Sequence, residues 1–235
     1  MNRFIQHKTV KWLGVVSLAF MLVTEVFSQP VWAKVAPITH FAHLSIPILG
    51  VTWIPSKRPV GIVSSVVVDF RIRPDQKGLN LRFQNMPGKF SPFAQYAVRL
   101  GIERAAAAAH LSTLSWTVAL TFPYRGLTLY GKSLSAMVGL SVVALAKGDK
   151  LLDGRALTGT ITKDGHIGTV GGVPEKISAA YRRHFNRVFI PEAHYVGDDD
   201  WTTPFLMQVS PVNTVENAYL GLTGHPLLAS SSTKP

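Results

Sequence analysis

Eight consecutive residues, Gly126-Leu-Thr-Leu-Tyr-Gly131-Lys132-Ser133, match the pattern G-x-x-x-x-G-K-[ST] between a predicted strand and a predicted helix. In a phosphate-binding loop the glycines let backbone N–H groups approach phosphate oxygens, the lysine reaches the outer phosphates and the hydroxyl holds Mg²⁺. The same segment offers a second chemistry. Ser133 opens an apolar helix, where unpaired N–H groups and the positive end of the helix dipole suit a tetrahedral oxyanion. A serine hydroxyl is a weak nucleophile at neutral pH and needs a base. The chain has no cysteine, and a lysine whose ammonium is desolvated can serve as that base. Lys176 sits early in a predicted helix behind the apolar, backbone-permissive approach Val170-Gly-Gly-Val-Pro. Against the nucleotide reading, the loop motif fixes few positions and arises by chance in about one chain in a hundred. Nor does an apolar strand ending in a metal-binding Asp follow at a suitable place.

These residues need elements to position them. From Val60 a β-branched run (VGIVSSVVVDFRI) reads as a long strand, and Leu79 to Phe83 (LNLRF) alternates like its hairpin partner. Ser91-Pro92 supplies an N-cap and first-turn pair for a helix over Phe93 to His110, read as core packing. Strand returns at Ser115 to Phe122. A loop from Pro123 to Tyr130 leads to a helix over Leu134 to Lys147 that is apolar nearly all round and stops at Gly148. Further on, strands are expected over Arg155 to Thr162, Ile167 to Val170, Arg187 to Ile190 and Met207 to Val212. Helices are expected over Pro174 to Arg183 and Thr214 to Leu222. Irregular alternation of strands and helices in one compact domain indicates an α+β fold.

The 235 residues are 47% apolar and 16% charged, enough for a real core, which excludes fibrous and disordered classes. With no cysteine there is no disulfide scaffold or thiol nucleophile. At the N-terminus, Arg3, Lys8 and Lys11 precede a 12-residue apolar run, Trp12 to Val23, and Val31-Trp32-Ala33 follows. This is the pattern of a signal peptide over residues 1–33, the alternative being an uncleaved N-terminal anchor. Lys34 to Pro59, with prolines at 37, 47, 55 and 59, reads as an extended lead-in, and 223–235 as a flexible tail. Export implies a periplasmic or secreted protein, where nucleotide is scarce. The net charge of +11 then suits acidic polymers, peptides or an anionic membrane surface, and no nucleic acid is expected as a partner.

From Ser133 the chain reads LSAMVGLSVVALAKG, then Ala156-Leu-Thr158-Gly159-Thr-Ile-Thr162, then Gly171-Gly172-Val-Pro-Glu175-Lys176-Ile-Ser-Ala-Ala180. This resembles the proteolytic domain of Lon proteases, whose bacterial forms read D-G-P-S-A-G, a buried helix, A-M-T-G-E-I-T and G-G-L-K-E-K-L-x-A-A. Farther on, Arg187-Val-Phe-Ile-Pro191 resembles the family's V-x-I-P strand and Val212 to Gly221 its closing helix. The resemblance covers about Val60 to Gly221. It implies a ribosomal protein S5 domain 2-like fold over residues 60–222 and a Ser133/Lys176 catalytic dyad, 43 residues apart without a gap. It also implies that Thr158 hydrogen-bonds the Lys176 amine and that Gly131 allows the tight turn. The family's Asp-Gly-Pro-Ser becomes Tyr130-Gly131-Lys132-Ser133 here, so an acid is absent and a cation stands beside the nucleophile. Lys132 either opposes the charge of Lys176 or points to solvent, and the strong hydration of lysine favours solvent. Ser135 is a rival nucleophile but shifts the register by two. The family's upstream histidines fall on Ala119 and Thr121.

The implied protein is an exported serine endopeptidase without cofactor, acting without ATP on peptides or unfolded proteins, with homo-oligomeric assembly left open. Two other readings remain: a degenerate Lon-like binding or scaffold module, and a nucleotide-binding protein using GLTLYGKS. His40 and His43 have i, i+3 spacing but no third ligand nearby, and Asp198 to Asp200 reads as a solvated loop.

Overall fold

Two long extended segments start the architecture. In the computed structural model, which describes residues 41–53, 58–193 and 204–228, strand β1 (Phe41–Thr52) pairs antiparallel with β2 (Val60–Ile72) from Phe41↔Arg71 to Thr52↔Val60. On β2 the side chains of Val66, Val68 and Phe70 are fully buried at a period of two, as one sheet face requires. Next along the chain come β3 (Asn80–Phe83), β4 (Lys89–Phe90) and helix α1 (Pro92–Ala108). Then β5 (Trp116–Thr121) buries Trp116, Val118 and Leu120 with the same alternation. The sheet order is β1-β2-β5-β3, with β3 parallel to β5. The Ser91 hydroxyl caps α1 by accepting from the Ala94 amide at 3.2 Å, and Pro92 occupies the first turn.

A short β6 (Thr128–Leu129), parallel to β4, leads into α2 (Ser135–Lys147). Every residue of α2 from Ser135 to Ala144 is buried, which explains why its sequence lacks a polar stripe. It packs backbone to backbone on α1, where Gly101 and Gly139 meet and neither has room for a Cβ. The left-handed Gly148 ends it.

The second half supplies β7 (Arg155–Leu157), the β8 (Thr160–Ile161) and β9 (Ile167–Gly168) hairpin, and α3 (Val173–Arg182). It continues with β10 (Arg187–Pro191), β11 (Gln208–Val212) and α4 (Val215–Thr223). Strands β11, β10 and β7 form a parallel sheet in that order. A small apolar cluster of Leu49, Val170, Val173, Ile177, Val188 and Ile190, among others, joins β1, α3 and β10. The described residues thus form a mixed α/β architecture of four helices and several small sheets. None of those helices is long and apolar enough to cross a membrane.

Three expectations are corrected. The lead-in assigned to 34–59 contains β1, which belongs to the sheet. Pro47 is tolerated there because β1 is an edge strand, where a missing N–H can face away from the ladder. The alternating LNLRF segment is β3, and its partner is β5 rather than β2. The tail assigned to 223–235 starts inside α4, and Leu227 is buried in the core, with the Lys147 amine donating to the Pro226 and Leu227 carbonyls at 2.9 and 2.7 Å. The expected signal peptide, His40 and Asp198 to Asp200 lie outside the described residues.

Candidate active site

Ser133 lies in the turn that enters α2, after the exposed Tyr130, Gly131 and Lys132. Two hydrogen bonds fasten this turn to the segment ahead of β8. The Gly159 amide donates to the Ser133 carbonyl at 2.9 Å, and the Ala136 amide donates to the Gly159 carbonyl at 3.1 Å. The Ser135 amide is taken by the Lys132 carbonyl at 3.0 Å. Of the donors that a helix start leaves over, the Ser133 and Leu134 amides have no partner among the described residues.

Lys176 sits in the second turn of α3. Gly172, in the left-handed region at φ 68°, caps that helix, and Pro174 lies in its first turn. The Lys176 side chain is 3% exposed, beside Val173 and Ile177 in the sequence of a helix face that the small apolar cluster buries. Its amine donates to the Gly171 carbonyl at 2.8 Å.

The two elements converge. Ser133 and Lys176 line one open cleft of about 280 Å³, together with Gly131, Lys132 and Gly171 and with the apolar Val51, Phe93 and Val170. Lys132 is exposed, as its hydration demands. Ser135 is buried and does not line the cleft.

Thr158 is not part of the lining either. It is fully buried, its amide donates to the Phe189 carbonyl at 3.0 Å, and its hydroxyl has no hydrogen-bond partner among the described residues. The expected bond from this hydroxyl to the Lys176 amine is therefore not made, although the adjoining Gly159 holds the Ser133 turn. A buried hydroxyl without a partner carries its full desolvation cost. Thr158→Val is accordingly expected to raise stability by about 1 kcal/mol, read as a higher urea midpoint at unchanged m-value. A lower midpoint would show that the hydroxyl is satisfied.

Other sequence candidates fall elsewhere. His43 stands opposite Asp69 on β1 and β2, its Nδ1 at 2.7 Å from the carboxylate in an exposed pair. No group of three or more His, Cys, Asp or Glu suited to a metal ion occurs among the described residues. The G-x-x-x-x-G-K-S loop does not form one continuous backbone cradle: Thr128 and Leu129 are strand, and the Gly126 amide donates to the Pro87 carbonyl at 3.2 Å. Sequence reading missed Val51, which it left in the lead-in, and Phe93, which it assigned to the core. Phe93 and Tyr96 are both more than half exposed, three positions apart on the first turns of α1. Two large aromatics off the face that buries Ala94, Ala97, Val98, Gly101 and Ile102 were the signal available.

Comparison with known sequences bears on the same stretch. Residues 118–203 match the Lon protease (S16) C-terminal proteolytic domain. The archaeal Lon protease of Methanocaldococcus jannaschii is 35% identical over 86 residues, which are 37% of this chain and 13% of that protein. A Lon protease of Fusobacterium nucleatum is 31% identical over 84 residues, 36% of this chain and 11% of that one. The peroxisomal Lon protease homolog 2 of Caenorhabditis briggsae is 38% identical over 64 residues, 27% of this chain and 8% of that one. The matched regions thus span only 8 to 13% of these relatives' lengths. The family match encloses Ser133, Thr158 and Lys176, and over it the chain carries a Lon-type proteolytic-domain sequence.

Proposed function

We propose, with the Lon-type sequence of residues 118–203 as the premise, that this chain is an exported serine endopeptidase that cuts peptide bonds with a Ser133/Lys176 dyad and without ATP. The observation that carries the reading is the single cleft lined by both side chains. Burial disfavours the charged form of an amine, so Lys176 is suited to accept the Ser133 hydroxyl proton as the oxygen attacks the peptide carbonyl carbon. The negative oxygen that develops is received by the free Ser133 and Leu134 amides at the helix start. Lys176 then gives its proton to the departing amine, leaving an ester on Ser133. Water, deprotonated by the same lysine, releases the acid product and restores the hydroxyl.

Within this reading Thr158 is a positioning residue, its spare hydroxyl available to the lysine amine when the amine leaves the Gly171 carbonyl. Gly131 lines the cleft next to the nucleophile, where a Cβ would come no closer than 3.6 Å to the Ser133 hydroxyl. The fold we assign is the ribosomal protein S5 domain 2-like arrangement of the Lon proteolytic domain. Substrates are flexible peptides or unfolded segments, met in the periplasm or outside the cell. Incubation with casein and with a fluorophosphonate probe, in the absence of nucleotide, tests the assignment. Casein fragments and a labelled band are expected from the wild type, and neither from Ser133→Ala. Labelling that survives in Ser133→Ala would remove that residue as the nucleophile.

A further inference from the structure

Among the described residues that line the cleft, the charged side chains are Lys132 and Lys176. Lys176 is buried and hydrogen-bonded to the Gly171 carbonyl. Lys132 is exposed, and its side chain makes no hydrogen bond or ion pair among the described residues. Glu175, although next to Lys176 in the chain, lines a different groove with Gly61 and Arg182. The remaining walls are the apolar side chains of Val51, Phe93 and Val170. Uncompensated charge beside low-dielectric walls attracts the opposite charge more strongly than the same lysine does on an open surface. The position is also fixed, because Lys132 immediately precedes Ser133 and its carbonyl accepts from the Ser135 amide at 3.0 Å.

We infer that Lys132 makes this cleft select peptides that carry a Glu or Asp side chain within one or two residues of the bond that Ser133 attacks. The inference rests on the peptidase reading for the identity of the ligand, and on Lys132 alone for its charge. An extended chain advances about 3.3 Å per residue, so a lysine one position from the nucleophile reaches only the nearest side chains of a bound peptide. Charge repulsion works in the opposite direction, so a lysine at the same peptide position is disfavoured.

The test uses three peptides capped by acetyl and amide groups, identical except for Glu, Gln or Lys beside the scissile bond. The caps leave the side-chain carboxylate as the single variable charge. At low ionic strength the wild type is expected to cleave the Glu peptide about fivefold more efficiently in kcat/KM than the Gln peptide, the scale of an exposed ion pair. Lys132→Ala brings that ratio close to one, and Lys132→Glu turns the preference to the Lys peptide. Added salt compresses the wild-type ratio. A ratio that survives Lys132→Glu overturns the inference. Calorimetric binding of the same peptides to Ser133→Ala protein, with and without Lys132→Glu, reads the charge preference where no bond is cut. Reversal of affinity there supports the inference even if the wild type proves to have no hydrolytic activity, which would count against the peptidase reading instead. Equal affinity for all three peptides, or binding of none, overturns it.

Discussion

Ser133→Ala and Lys176→Ala are each expected to lower kcat/KM for a peptide substrate by about a thousandfold or more, with the double variant hardly worse than either single one. The magnitude follows from what each group supplies. Without the Ser133 oxygen no acyl ester forms, and without the Lys176 amine the hydroxyl keeps its proton at neutral pH. Two parts of one proton-transfer step fail together, so their losses do not add. Stability separates this outcome from unfolding. Lys176 is buried, so Lys176→Met, which keeps most of the side-chain volume, serves as a second variant and should melt close to the wild type while remaining inactive. Lys176→Arg is also expected to be inactive, since a guanidinium does not release its proton in the working pH range. A nucleotide site would reverse the order, making Lys132→Ala the damaging change. Wild-type rates in Lys176→Arg would exclude Lys176 as the base and require another group to take the Ser133 proton.

How much of this was legible in the sequence depends on whether the signal was local. Helix α1 was legible because Ser91-Pro92 is a cap and first-turn pair, and α2 because Gly148 takes the left-handed conformation that stops a helix. The start of α3 is similarly marked by Gly172 and Pro174. Strand β1 was not, because Pro47 within it and the prolines at 37, 55 and 59 around it argue locally against a strand. Only the finished sheet shows that Pro47 lies on an edge strand. The alternation of β3 reveals a two-faced strand but not its neighbour, since pairing with β5 spans the whole of α1. At the site, motif spacing singled out Ser133 and Lys176, and what the structure adds is that both line one cleft. The environment of Thr158 was not. A threonine can sit at the right interval while its hydroxyl remains unpartnered, because rotamer and partner are settled by packing. Val51 reaches the cleft only through the β1–β2 pairing and the approach of α3, a tertiary consequence that no local pattern encodes.

That approach yields the second large expectation: Gly61→Ala should lower stability by about 1–3 kcal/mol and kcat/KM by about a hundredfold. Gly61 is buried on β2, paired with Val51 of β1. A Cβ at Gly61 would fall on the Glu175 carbonyl oxygen and within 3.1 Å of the Ala179 Cβ, so α3 would have to retreat. Backbone cannot rotate aside as a long side chain can, and Arg182 ties the same contact by donating to the Gly61 carbonyl at 3.2 Å. Lys176 follows Glu175 directly, so a retreat of the first turn of α3 carries the amine away from Ser133. An ångström of misplacement between reacting groups costs about two orders of magnitude in rate. Tyr219→Phe provides the comparison. It removes the bond that the Tyr219 hydroxyl donates to the Asp149 carboxylate at 2.6 Å, worth about 1.5–3 kcal/mol for a charged acceptor. Asp149 lies just past the end of α2 opposite Ser133, about 20 Å away along a helix of this length. Both variants should therefore melt lower by several degrees, roughly 2–4 °C for each kcal/mol at this size. Assayed well below those melting points, Tyr219→Phe should keep near-wild-type kcat/KM, whereas Gly61→Ala should stay about a hundredfold down. Equal activity in the two variants would mean that the contact between β2 and α3 supports the fold without setting the position of the lysine.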